Sequence, residues 1–122
     1  MMEVRLGQAF RSEFLNFPTS DKLLISKFIR HIEQYGFENL LGRNKFSDDI
    51  RNDDPQFRVK LDKVRKYNLW HYHIGITRYT RSSIGDMVSE YVLHYIKDID
   101  HIKIVDLGSH PPFRLPLDEY LK

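Results

Sequence analysis

The sequence predicts an α+β fold: an N-terminal short strand and helices packed on one face of a small, mainly antiparallel β-sheet. Three observations lead there. Apolar residues recur at helical spacing in the first third of the chain. From Asn68 onward the period changes to two, the spacing of strands. The connections between these later strands are short, which favours antiparallel pairing. At 122 residues the chain is expected to form a single domain, residues 1–122.

Taken in order, Val4 and Leu6 alternate with polar neighbours and predict a short strand. Phe10, Phe14 and Phe17 follow at helical intervals, and Pro18 stops that helix. Thr19, Ser20 and Asp21 offer capping oxygens for a second helix. Its apolar stripe is Leu24, Ile25, Phe28, Ile29, Ile32 and Tyr35, and Gly36 is its expected stop. Residues 37–54 read as a helical turn and then a solvated loop. Asp54 and Pro55 signal a third helix carrying Phe57, Leu61 and Val64 on one face. Strands are expected over residues 68–76, 89–97 and 102–107, with a loop over 77–86 between the first two. Pro111 and Pro112 are expected to end ladder pairing. In the first of these strands Trp70, Tyr72, Ile74 and Ile76 share one face, and His71 and His73 share the other. Trp70 is expected in the core with Tyr72, Ile74, Phe28 and Ile32.

Composition excludes several classes of chemistry. The chain has no cysteine, so thiolate catalysis, disulfides and cysteine-ligated zinc are ruled out. The six glycines are all isolated, so no glycine-rich phosphate loop is present. The longest apolar runs are too short for a membrane-spanning helix. No signal peptide is visible, and a cytoplasmic location is expected. A net charge of +2 permits a nucleic-acid partner without requiring one.

A resemblance enters with three segments. Leu69-Trp70-His71-Tyr72-His73-Ile74 resembles a "Leu-Trp-Glu-Leu-Arg" strand, Glu90 to Ile96 resembles a "Tyr-Arg-Val-Leu-Tyr-Phe" strand, and Ile102 to His110 is similar to a last core strand. These belong to the RelE/HigB-like toxins, small bacterial ribonucleases of toxin–antitoxin pairs. The order of one short strand, helices and then three strands is also theirs. The resemblance implies an endoribonuclease cleaving mRNA, on or off the ribosome, with a cognate antitoxin protein and RNA as partners and no cofactor. Here histidines stand near positions where the family carries arginines. The family's lysine pair after the last strand is replaced by Pro111-Pro112-Phe113-Arg114.

Metal-free RNA cleavage needs a base for the 2′-hydroxyl, a cation at the phosphate and an acid for the leaving 5′-oxygen. His71 and His73, roughly 6–7 Å apart along one strand face, are the expected proton-transfer pair. Arg78 or Arg114 is the expected phosphate stabiliser. Arg81, Tyr91, Tyr95, Lys97 and His110 are candidate RNA contacts, the tyrosines as a stacking platform. Plain alternatives stand beside each assignment. The two histidines suit a solvated sheet face, His94 suits a satisfied core histidine, and the tyrosines suit core packing. His71 and His73 also form a metal-ligand pair to which His94 or His110 adds a third member. A non-catalytic nucleic-acid-binding or partner-binding module is the competing functional class.

Overall fold

The computed structural model describes residues 2–110 and 113–122. The chain runs β1 (Glu3–Leu6), α1 (Gln8–Phe14), α2 (Thr19–Tyr35), β2 (Asn44–Phe46), α3 (Phe57–Tyr67), β3 (Leu69–His73), β4 (Tyr79–Arg81), β5 (Met87–Ser89), β6 (Tyr91–Lys97) and β7 (His101–Ser109), and ends in a 3₁₀ turn, Asp118–Leu121. Five strands form one sheet in the order β1-β7-β6-β3-β2, and β4 and β5 form a separate hairpin. The large sheet is antiparallel except at one edge, where β1 pairs with β7 in parallel.

Local chemistry accounts for most of these boundaries. α2 starts after Pro18, whose missing N–H is harmless there; no side chain caps it, so the expected Thr19–Asp21 cap is not made. It ends at Gly36 with a φ of 65°, a conformation that glycine adopts without strain. α3 starts later than the Asp54–Pro55 signal expects: its N-cap is Gln56, with no side-chain cap bond, and the Asp54 carboxylate accepts from the Gln56 N–H at 2.8 Å in the turn that precedes the helix. Asn68, with φ 51°, closes α3 and turns the chain into β3. Gly42 is required by a close approach, since a Cβ there would lie 2.0 Å from the His73 carbonyl oxygen.

Two differences from the expected layout matter for the site. First, the helices do not share one face. α1 and α2 cover the face bearing Tyr72, Leu93, Tyr95 and Ile104, with Phe10, Ile25, Phe28 and Ile32 packed against them. α3 and the C-terminal turn lie on the other face, where Val64 and Leu121 pack with Leu69 and Val105. The sheet is thus covered on both sides, and its central strands are buried on both faces. Second, residues read as loops contain β2 and the β4–β5 hairpin, and β7 continues through Ser109. Pro111 and Pro112, expected to end that ladder, lie outside the described residues.

Tyr72, Ile74, Phe28 and Ile32 are buried together as expected. Trp70 is only partly buried. Its indole lies at the margin of the core, with the Lys97 ammonium 4.4 Å above the ring. Phe28 instead occupies the centre, stacked on Tyr72 at 4.6 Å between ring centroids. Phe28→Ala is expected to cost about 3–5 kcal/mol. Trp70→Ala is expected to cost less than about 2 kcal/mol, because its ring is already partly in water. Urea unfolding of the two variants, read at equal slope, checks this ranking.

Candidate functional site

The alternation of β3 sends Trp70 and Tyr72 towards α2 and His71 and His73 towards the α3 face. Both histidines are 3 % exposed. They are therefore not a wet sheet face, and a substitution there is a change to the interior. β6 runs antiparallel beside β3 with His94 directly opposite His71. His110 follows the end of β7. Its backbone N–H donates to the Glu90 carbonyl at 2.5 Å, which continues the β6–β7 pairing one step beyond Tyr91 and Ser109. The His110 ring centroid then lies 5.4 Å from that of His73 and 6.0 Å from that of His71. One ring nitrogen from each of His71, His73 and His110 falls within 4.8 Å of the others. Phe113 lies against the group, 4.7 Å from His71, 5.1 Å from His110 and 5.5 Å from His94 between ring centroids.

Two rings are held by polar partners on neighbouring strands. Nδ1 of His71 lies 2.9 Å from Oγ of the buried Ser47, just beyond β2. Nδ1 of His73 sits against the backbone of Ser89, 2.9 Å from its N–H nitrogen and 3.0 Å from its carbonyl oxygen. The second nitrogen of His73 is buried without a partner among the described residues, as are both nitrogens of His94. His94 is thus a core histidine, but not the satisfied one expected from sequence.

Burial sets the protonation of the group. Desolvation, followed by the neighbouring histidines, pushes His71 down to about 3. Desolvation, with a smaller effect from His110, pushes His94 down to about 3 as well. His73 and His110 are also lowered, chiefly by desolvation. At neutral pH the imidazoles are uncharged. Burial at 3 % exposure and the lowered proton affinity both weigh against His71 and His73 as an opposed acid–base pair at the surface.

The cations whose charge reaches these rings are Arg43 and Lys45, brought alongside by β2. Arg43 is fastened to Asp86 by two hydrogen bonds of 2.7 and 2.9 Å. Lys45 pairs with Asp49 at 3.0 Å. Neither residue was singled out by sequence reasoning. The signal was a run of polar residues around Gly42 that reads equally well as loop, and only the pairing of β2 with β3 gives it meaning.

The other expected site residues fall elsewhere. Tyr95 is completely buried on the α2 face, with its hydroxyl donating to Asn44 Oδ1 at 2.6 Å, so it cannot stack on a base. Tyr91 packs against the same core, and Lys97 lies over Trp70 and Phe37. These three are on the face opposite the histidines. Arg78 is exposed beyond β3, and Arg81 donates to the Gly85 carbonyl within the β4–β5 hairpin. Arg114 is exposed and lines a shallow groove with Asp106, Ser109 and Tyr120. Of the expected set, the structure brings together His71, His73 and His110. No helix is long and apolar enough to cross a membrane.

Among known proteins, no family model, no curated protein and no solved structure matches this chain.

The neutral histidines tie stability to pH. A histidine with a folded pKa of about 3 and an unfolded value near 6.5 binds its proton more readily when unfolded. Its stabilising effect is therefore complete above pH 6.5 and is lost as pH falls towards 3. His71 and His94 should each remove about 1.4 kcal/mol per pH unit across that window. Urea midpoints measured from pH 7 down to pH 4 should fall steeply, and His94→Leu should flatten the slope.

Proposed function

We propose that this chain is a small endoribonuclease of the toxin class, held in check by a protein partner. Its site is the α3 face of the sheet around His110. The observation that carries the reading is the convergence of His71, His73 and His110 beside Arg43 and Lys45. The mainly antiparallel α+β architecture supports it, as do the three strand segments that resemble RelE/HigB-like toxins.

His110 takes the proton-transfer role. It is the member of the trio that is not buried, and its lowered pKa keeps the imidazole ready to accept a proton at pH 7. It removes the proton of the 2′-hydroxyl, the 2′-oxygen attacks phosphorus, and the 5′-oxygen leaves. The proton returns to that leaving oxygen from the imidazole cluster, so no proton is consumed overall. His71 and His73 are positioning residues behind His110. Arg43 and Lys45 face the charge that builds on the phosphate. The exposed Arg78, Arg81 and Arg114 suit an acidic segment of the neutralising protein. That partner is a cognate antitoxin in this reading.

A second reading, a non-catalytic partner-binding module, is favoured by one observation. His71 and His73 are too deeply buried to touch an RNA strand.

RNA cleavage with and without ribosomes, together with growth on expression of the chain alone, separates the two readings. The ribonuclease reading expects growth arrest and cleavage that His110→Ala lowers by roughly 10²–10⁴-fold. It expects Arg78→Ala to leave cleavage nearly unchanged while weakening the antitoxin complex. Unimpaired growth and intact RNA, with a correctly folded chain, would leave the binding module.

A further inference from the structure

We infer that His71, His73 and His110 form a binding site for a zinc-class divalent transition-metal ion. Three imidazole nitrogens lie within 4.8 Å of one another, and ring movements of about 1.5 Å or less would bring them to the roughly 3.3–3.4 Å separation of ligands on a tetrahedral ion with Zn–N bonds of about 2.0–2.1 Å. The chemistry of the donors fits as well. Imidazole nitrogen suits zinc and its neighbours, whereas calcium and magnesium require oxygen.

The surroundings are those of a prepared ligand set. A metal-ligating histidine usually donates its other ring N–H to a fixed acceptor. Nδ1 of His71 has such a partner in Ser47 Oγ. Nδ1 of His73 accepts from the Ser89 N–H and also lies 3.0 Å from the Ser89 carbonyl oxygen, so coordination through Nε2 requires the ring proton to sit on Nδ1 and donate to that carbonyl. In those tautomers both Nε2 lone pairs are available to the ion. Nε2 of His73 is buried without a hydrogen-bond partner, in a residue 3 % exposed. Such an orphan costs about 1–3 kcal/mol, and coordination would remove that cost. Asp49 lies near enough for His71 and His110 to act on its charge, so a carboxylate offsets part of the ion's charge. Arg43 and Lys45 would oppose a cation, but each is already paired with an aspartate. Three protein ligands leave a fourth position for water or a phosphate oxygen, on the side where His110 reaches solvent.

The ion has a consequence for the proposed cleavage, and this part rests on that reading. Coordination uses the lone pair with which His110 would accept the 2′-hydroxyl proton. The metal-loaded chain is then the silent form and the metal-free chain the cleaving one.

The test begins with protein dialysed against chelator and titrated with Co²⁺ by visible absorption and with Zn²⁺ by calorimetry. One ion per chain is expected, with an intense tetrahedral-type cobalt spectrum that Zn²⁺ displaces. His110→Ala, outside the regular elements, should keep the circular dichroism of the parent and abolish that spectrum. Ser47→Ala should weaken zinc binding roughly 10–100-fold. The double variant His31→Ala/His101→Ala should bind zinc like the parent. Zinc uptake no greater in the parent than in His110→Ala, or uptake lost in the His31/His101 variant, overturns the site. Binding is read without RNA, so it stands or falls separately from cleavage. In the cleavage assay, zinc-saturated protein should be slowed at least about 10²-fold relative to the chelated form. Equal rates overturn the silencing, and cleavage that requires zinc overturns both the silencing and the role of His110.

Discussion

Everything at the site depends on β3 being a strand with both faces covered. A strand places alternate side chains on opposite sides, and here each side has its own layer of helix. Tyr72 is fixed by its stack on Phe28 from α2. Leu69, on the other side, packs with Val64 from α3. The histidines between them have no freedom to turn towards water. Their chemistry is decided by a constraint of packing before any partner is considered.

That constraint explains the electrostatic character of the region. Clustered imidazoles in water would titrate near neutrality and repel one another when charged. Buried in the sheet face with Phe113 against them, the same rings lose hydration, and the neutral form prevails. The nearest cations are each tied to an acid, Arg43 to Asp86 and Lys45 to Asp49. The result is a group of lone-pair donors within a balanced ring of charge. Such a group offers unprotonated lone pairs at neutral pH, while desolvation lowers its affinity for a proton.

The parts legible in the sequence were those with a strong period. α2 announces itself by its stripe from Leu24 to Tyr35, and β3, β6 and β7 by aromatic and β-branched alternation. Strands of three residues, such as β2 and β4, carry too few positions for any period to show. The stripe of α3 shows that one side is buried but not which sheet face receives it, and that choice decided whether His71 would be wet or dry. Alternation correctly paired His71 with His73. It could not foretell that a continued β7 would return His110 to them, because the hydrogen bond from His110 to Glu90 is a long-range event. Tyr95 was misread for a related reason: an aromatic on a strand has the same pattern whether it faces solvent or Phe28.

The parallel edge of the sheet has a bearing on how the chain comes to be folded. β1 begins at Glu3, yet its ladder is with His101 to Ile104 on β7, nearly the whole length of the protein away. A pairing so distant in sequence cannot form until the late segment has been made, and contacts of this kind slow folding. The histidine that follows β7 arrives later still. A nascent chain on the ribosome can therefore assemble α2 early, but it lacks the β1–β7 edge and a complete imidazole trio until the segment through His110 has emerged. Whatever this site does, the growing polypeptide does not begin to do it before that segment is free.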